Sequence, residues 1–226
     1  MTALSPLLLQ MQTASAPPEL LALAGKFHAH LTVAAESSQW ETLRQKCRQR
    51  KAKLTIVDLE NLSGRSQTDV MATCYFQDPQ AGAVERITAE LAATAEALEE
   101  AGFPVLRAKL EHETAPSLPA FDRQHYHEIH IKLDLPADGC QRAYQQLLAM
   151  GKEHDFVPSK NPFDRRGDRV TQFVNKRLYD GDWSTADRSL EMLLAALREA
   201  SFEVVEVKRE TVVFDTNQQL DQWWIP

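Results

Sequence analysis

Glycine is scarce in this chain, and its scarcity excludes several common active-site motifs. Eight of the 226 residues are glycine, about half the usual share of ~7%. The patterns G-x-G-x-x-G, G-x-x-x-x-G-K-[ST] and G-x-S-x-G do not occur. Each of them needs glycine where the backbone turns tightly or approaches a ligand. The sequence therefore predicts no dinucleotide-binding loop, no phosphate-binding P-loop and no nucleophile elbow.

Cysteine and long apolar runs are also rare. Cys47, Cys74 and Cys140 are widely separated and form no C-x-x-C motif, which favours reduced thiols over a disulfide framework. No apolar run approaches the ~20 residues of a membrane span. Residues 1–25 lack the basic start of a signal peptide and are predicted to be an N-terminal extension. We therefore expect a cytoplasmic protein with no membrane partner.

Positive charge is not in excess. The formal net charge is −7 and the pI is about 5.5. Binding to duplex DNA usually needs a broad basic face. The composition therefore argues against a protein that binds duplex DNA.

Two segments of the sequence repeat at nearly the same spacing. Residues 97–111 align with residues 196–210 at an offset of 99, with eight identities in fifteen positions. Residues 27–33 align with 127–133 at an offset of 100, which pairs His30 with His130. A fixed period of this size indicates a tandem duplication. We predict one domain over residues 26–119 and a second over residues 120–226, which includes a C-terminal tail.

Each predicted domain has the same order of elements. Hydrophobic periodicity in the first domain predicts strands near 26–34, 53–59, 69–77 and 104–112, with helices near 38–51 and 81–101. The second domain repeats this order, with strands near 126–135, 154–158, 169–178 and 202–214 and helices near 139–152 and 185–200. The order βαββαβ is that of a ferredoxin-like unit. We therefore predict an α+β fold of two ferredoxin-like sheets that face each other across a polar cleft.

Alternation along the strands separates an apolar face from a polar face. Phe27, Ala29 and Leu31 point to one side of the first strand, so the intervening residues point to the other. The same parity in the other first and last strands gives two polar faces. In the first domain this face contains His28, His30, Thr32, Lys109 and Glu111, and in the second it contains Glu128, His130, Lys132, Lys208 and Glu210. Arg177 is predicted to lie at the same cleft.

The segment His30-Leu31-Thr32-Val33 has the form H-x-[TS]-hydrophobic. Two copies of this motif define the 2H phosphoesterases, and the duplicated chain resembles that family. The resemblance implies that His30 and His130 exchange acid and base roles on a phosphoric diester. It also implies that Thr32 and Lys132 hold phosphate oxygens, with Lys109 and Lys208 as further phosphate-binding residues. The implied ligand is a nucleotide, another small phosphorylated molecule or an RNA end.

The second motif departs from the family pattern. Lys132 stands in His130-Ile131-Lys132-Leu133 where the family has threonine or serine. An ammonium group can neutralise a phosphate but cannot accept a hydrogen bond. If the chain is an enzyme, the resemblance implies a hydrolase. A non-enzymatic module that binds a ligand or a partner is the alternative that this departure favours.

Two further alternatives use the same residues. The strand Glu128-Ile129-His130-Ile131-Lys132 is similar to the E-x-E-x-K strand of the triphosphate-tunnel proteins, in which case Arg177, Lys208 and Arg209 would bind a triphosphate. Alternatively, His28, His30, Glu128 and His130 could form a metal site, because H-x-H on a strand points both imidazoles to one side. No organic cofactor is predicted. The sequence leaves the oligomeric state open.

Overall fold

The computed structural model describes residues 11, 18–60, 63, 65–113, 125–179 and 183–221. Most of the predicted N-terminal extension lies outside the described residues. The C-terminal tail with Trp223 and Trp224 lies outside them too.

Eight strands and five α-helices are described, together with two short 3-10 helices, Ser37–Gln39 and Gln218–Asp221. The strands are β1 (Gly25–Val33), β2 (Lys53–Glu60), β3 (Ser66–Asp78), β4 (Val105–Glu113), β5 (His127–Pro136), β6 (Val157–Arg166), β7 (Arg169–Leu178) and β8 (Val204–Asp215). The helices are α1 (Pro18–Leu21), α2 (Trp40–Gln49), α3 (Ala83–Glu100), α4 (Cys140–His154) and α5 (Trp183–Glu199).

Hydrogen bonding joins all eight strands in the closed order β1-β3-β2-β6-β7-β5-β8-β4. The prediction of two ferredoxin-like sheets that face each other is therefore wrong, because the strands form one closed barrel. The hydrophobic pattern of the sequence did not predict which strands pair at the edges of the two expected sheets. Asp58 and Leu59 of β2 pair with Lys160 and Ser159 of β6, and closure of this kind leaves no exposed strand edge.

The chain divides into two compact units that interleave along the sequence. The first unit comprises Met1–Thr55, Val70–Glu113 and Thr211–Gln218. The second comprises Ile56–Asp69, Thr114–Glu210 and Gln219–Pro226.

Strand pairing in the first unit places β1 between β3 and β4. His30 of β1 pairs with Thr73 of β3 and with Lys109 of β4. On β1, Phe27, Ala29 and Leu31 are fully buried, as the predicted apolar parity requires. The core of this unit also contains buried apolar residues of α2 and α3, which include Leu43, Cys47, Leu91, Ala95 and Leu98.

The second unit packs its apolar strand residues against α4 and α5. Ile129, Ile131 and Leu133 of β5 belong to one core cluster with Leu147 of α4 and Leu193 of α5. The apolar face of β5 therefore lies under the helices. The alternating residues Glu128 and His130 consequently belong to the opposite face of β5.

Three helices end with the same backbone motif. After α3, the N–H of Gly102 donates to the carbonyl of Glu99, and the N–H of Phe103 donates to the carbonyl of Leu98. This Schellman pattern needs a left-handed residue after the helix, and Gly102 has φ +86°. Lys51 after α2 and Ser201 after α5 take the same conformation, with φ of 54° and 63°.

Within the described residues, none of the helices combines the length and the apolar character needed to cross a membrane.

Candidate functional site

The polar face of β1 carries the functional side chains of the first unit. His28 pairs directly with Glu111 of β4, and His30 pairs with Lys109. Residues that pair directly across an antiparallel sheet share one face and have Cβ atoms roughly 5 Å apart. We call His28, His30, Lys109 and Glu111 the His30 site.

Both ring nitrogens of His30 have partners. Nε2 lies 3.0 Å from Oε2 of Glu111, and Nδ1 lies 3.1 Å from Oγ1 of Thr73. The Thr73 hydroxyl donates to Oγ1 of Thr55 at 2.9 Å, so its oxygen accepts from the Nδ1–H of His30. These contacts hold the ring with Nε2 towards Glu111.

Glu111 is the central carboxylate of the His30 site. Its side chain is 1% exposed, and its Oε1 lies 2.5 Å from Nζ of Lys109. The two carboxylate oxygens therefore contact different partners, an imidazole and an ammonium. Burying a carboxylate without such partners would be strongly unfavourable.

His28 completes the site on the other side of Glu111. A ring nitrogen of His28 and a carboxylate oxygen of Glu111 lie within 4.8 Å of each other. Nε2 of His28 also lies 3.4 Å from Oε1 of Glu113, and the ring packs edge-on against Tyr75 with 4.9 Å between centroids. His28 and His30 thus lie on one face of β1, and Glu111 of the adjacent strand β4 lies near each of them.

The second unit has a corresponding group around His130. Nε2 of His130 lies 3.1 Å from Oε2 of Glu128 and 3.3 Å from Oε2 of Glu210. Nδ1 lies 2.8 Å from Oδ1 of Asn175. We call Glu128, His130, Asn175, Arg177 and Glu210 the His130 site.

The orientation of Asn175 determines the protonation of His130. Nδ2 of Asn175 donates to the Val157 carbonyl and to Oγ of Ser159, both at 3.0 Å. Because a carbonyl only accepts, the amide oxygen must face His130, and Nδ1 of His130 must carry a proton. An unprotonated Nε2 would then face two carboxylates, so His130 is an imidazolium.

The pKa of His130 agrees with this assignment. Burial of the ring lowers the pKa, but the hydrogen bonds to the carboxylates of Glu128 and Glu210 outweigh it and raise the pKa to about 10. His130 therefore carries its positive charge throughout the physiological pH range.

Arg177 connects the His130 site to the end of the described chain. Its guanidinium donates to Oε1 of Glu128 and to Oδ2 of Asp221 at 2.7 Å. All three side chains are buried. The pKa of Arg177 lies well above its ordinary value, because the nearby carboxylates outweigh the burial of the guanidinium. Arg177 therefore links Asp221, the last residue of the 3-10 helix Gln218–Asp221, to Glu128.

The structure groups the predicted site residues by unit. The first unit brings His28, His30, Lys109 and Glu111 together, and the second brings Glu128, His130, Arg177 and Glu210 together. The predicted metal site of His28, His30, Glu128 and His130 takes residues from both units. In the structure, His30 and His130 each contact carboxylates of their own unit. The phosphate-binding roles of Thr32, Lys109, Lys132 and Lys208 remain predictions. Thr32 is buried, and Lys132 and Lys208 are half-buried.

Sequence reasoning missed the side chains that orient the histidines. They are Thr55 and Thr73 in the first unit and Asn175, Ser159 and Asp221 in the second. Thr73 and Asn175 occupy matching positions, since each pairs directly with the central histidine of its unit. The strand register shows that the two positions correspond, whereas no local sequence motif predicts it.

Comparison with known proteins gives no assignment. No protein-family model matches the chain, and no curated protein matches its sequence. A "putative monooxygenase" from Lactobacillus acidophilus NCFM has a TM-score of 0.28 and 9% identity, over 84% of this chain and 93% of that one. A "putative monooxygenase" from Fusobacterium nucleatum has a TM-score of 0.30 and 6% identity, over 86% and 95%. Similarity at this level assigns neither fold nor function.

The prediction of a duplicated ferredoxin-like fold is wrong, because the closed strand order replaces two separate sheets. The description of the chain as a 2H phosphoesterase-like hydrolase has no support from these comparisons.

Proposed function

We propose that the chain binds one divalent transition metal ion through His28, His30 and Glu111. The observation that carries this proposal is the register of β1 and β4. This register places the imidazoles of His28 and His30 on one face of β1. The buried carboxylate of Glu111 lies directly across from His28 and is hydrogen-bonded to His30.

Two imidazoles and one carboxylate form a ligand set with its own metal preference. Imidazole nitrogen suits Fe²⁺, Zn²⁺, Ni²⁺ and Cu²⁺, and two histidines with one carboxylate on one face are typical of mononuclear non-haem Fe²⁺ sites. Ligands on one face leave further coordination positions open. A metal ion held in this way acts as a Lewis acid on oxygen ligands that bind there.

The contacts around His30 support a metal-binding role. Histidine ligands usually donate their second ring N–H to an oxygen, which fixes the tautomer and the ring orientation. Nδ1 of His30 makes this contact with Thr73, and Thr73 is anchored in turn by Thr55. Nε2 of His30 is therefore the nitrogen directed towards Glu111 and the ion.

The His130 site offers one imidazole, whereas the His30 site offers two. A metal ion at His130 would also have to displace the proton that the carboxylates of Glu128 and Glu210 hold on Nε2. A cation already occupies the centre of this group. We therefore assign the metal ion to the first unit alone.

Titration with Co²⁺ followed by visible absorption tests the proposal. We expect one equivalent to bind to the wild-type protein and to raise the melting temperature, since a ligand specific to the folded state stabilises it. Replacing Thr73 by valine should weaken binding by roughly 10- to 100-fold, as the loss of an outer partner typically does. His28→Ala, His30→Ala and Glu111→Gln should each weaken binding more than that.

His154→Ala is the matched control, because His154 lies at the end of α4 outside both sites. This variant should bind Co²⁺ like the wild-type protein. Equal binding by the wild type and by the folded variants His28→Ala and His30→Ala would refute the proposal.

We also propose that the protein resides in the cytoplasm. Cys47, Cys74 and Cys140 are all free thiols, which suits a reducing compartment.

A further inference from the structure

We propose that residues 44–53, which we call the basic segment, bind the phosphate backbone of a single-stranded nucleic acid. The inference goes beyond the proposed metal site and does not depend on it. It rests on the charge of the segment, on the exposure of its side chains and on the ion pairs that the described chain forms.

The charge of the basic segment is opposite to that of the whole chain. The formal net charge of the chain is −7, yet residues 42–57 contain no aspartate or glutamate. The cations of the segment are Arg44, Lys46, Arg48, Arg50, Lys51 and Lys53. Acidic residues farther away than about 8–10 Å are largely screened at physiological salt. A ligand at this segment therefore meets a local positive charge.

The fold leaves the cations of the basic segment at the surface. Helix α2 ends at Gln49, and its apolar residues Leu43 and Cys47 are fully buried. Ala52, between α2 and β2, is buried as well. The exposed cations are Arg48, Arg50, Lys51 and Lys53, while Arg44 and Lys46 are half-buried. Every exposed side chain of the segment is consequently polar or charged.

Few carboxylates offset this charge. Arg44 forms an ion pair with Glu41 of the same helix. The other five cations of the segment form no ion pair within the described part of the chain. Arg50 and Glu90 of α3 both lie close enough to Cys74 to affect the pKa of its thiol, so Glu90 reduces the local charge by one. Most of the positive charge is left uncompensated.

The helix dipole accounts for only part of the cluster. Lys46 and Arg48 lie in the last turn of α2, where cations interact favourably with the C-terminal end of the helix. Arg50, Lys51 and Lys53 follow the helix, and this interaction falls off beyond the last turn. Their charge is available to an external anion.

A nucleic-acid backbone suits the basic segment better than a membrane or an acidic protein does. A membrane-binding amphipathic helix inserts its apolar face into the lipid, whereas the apolar face of α2 lies in the protein core. Protein interfaces are centred on apolar and aromatic anchors, and the exposed side chains of this segment include none. Phosphate contacts need only cations, and arginine can donate two hydrogen bonds to one phosphate. A duplex would need a broader basic face.

Fluorescence anisotropy of a short fluorescein-labelled oligouridylate tests the inference. Each phosphate contact with a single strand contributes about −0.7 to the slope of log K against log [NaCl]. Five contacts predict a slope of about −3.5, so binding should weaken roughly 100-fold between 50 and 200 mM NaCl. The triple variant Arg48→Gln, Arg50→Gln, Lys51→Gln should reduce the size of the slope by about 2 and weaken binding at 50 mM NaCl by at least roughly 10-fold.

A second triple variant is the matched control. Arg142→Gln, Lys152→Gln, Arg198→Gln removes the same charge from exposed positions on α4 and α5, and it should bind the oligouridylate much as the wild type does. Arg48→Lys, Arg50→Lys keeps the charge and should retain most of the binding. Thermal melting verifies that every variant is folded.

Three results would overturn the inference. The first is no binding of the oligouridylate by the wild type at 50 mM NaCl. The second is an equal loss of binding in the two triple variants, which would show that net charge acts without the basic segment. The third is binding to phosphatidylserine vesicles that depends on the segment, with no binding to the oligouridylate.

Discussion

Stability should fall as the pH rises, because the imidazolium of His130 is stabilised by the fold. The pKa of this ring is about 10 in the folded protein, owing to Glu128 and Glu210, and about 6.5 in an unfolded chain. The folded state therefore binds more protons than the unfolded state between these two values. The contribution is fully present below pH 6.5 and is lost as the pH rises through about 10.

The size of the effect follows from linkage. Each pH unit between the two pKa values removes about 1.4 kcal/mol from the free energy of unfolding. Between pH 7 and pH 9 the loss is on the order of 3 kcal/mol. This is a large share of the 5–15 kcal/mol that is typical of a folded domain.

Urea denaturation at pH 7, 8 and 9 measures this dependence. The wild-type midpoint should fall steadily with an unchanged m-value, while the midpoint of His130→Gln should start lower and change less. The difference between the two proteins isolates His130 from other titrating groups. Parallel midpoint curves for wild type and variant would refute the assignment of a stabilised imidazolium.

Two further predictions concern buried groups away from the metal site. Arg177→Met should lower the free energy of unfolding by about 3–5 kcal/mol in urea denaturation, because it leaves two buried carboxylates without their cation; a change below 1 kcal/mol would contradict the burial of this network. A disulfide reagent at pH 8 should label one thiol per native chain, Cys140, which is partly exposed, and three after unfolding. The other two thiols belong to Cys47 and Cys74. Burial raises the pKa of each to about 11, so rapid labelling of either would contradict the structure.

The sequence predicted most of the local elements well, because they have strong periodic signals. The strand expected near 154–158 is an exception, since α4 extends to His154 and β6 runs from Val157 to Arg166. The strand expected near 26–34 is observed at Gly25–Val33, and the helix expected near 81–101 is observed at Ala83–Glu100. The alternation around Phe27 and Ala29 correctly separated the apolar face of β1 from its polar face, on which His28 and Thr32 are buried as well. Local patterns of this kind depend on neighbouring residues alone.

The arrangement of the strands could not be predicted in the same way. Closure depends on the pairing of β2 with β6 and on the neighbouring positions of β4 and β8. Hydrophobic alternation marks the two faces of a strand, but it does not mark which strand pairs with its edge. Two open sheets and one closed barrel therefore have the same sequence pattern.

The sequence placed His28, His30, Lys109 and Glu111 on one polar face, but it did not predict the contacts between them. Those contacts depend on the register of β1 against β4. The orienting side chains Thr73 and Asn175 gave no signal, because single threonine and asparagine residues in strands are common. The charge state of His130 depends on Glu128 and on two side chains that are distant in the sequence, Asn175 and Glu210.

A crystal of the protein grown with Co²⁺, with data collected at the cobalt absorption edge, tests the metal site most directly. We expect one strong anomalous peak in the first unit, about 2.0–2.2 Å from one ring nitrogen each of His28 and His30 and from a carboxylate oxygen of Glu111. A peak bound to His130 instead, or peaks confined to exposed histidines, would contradict it.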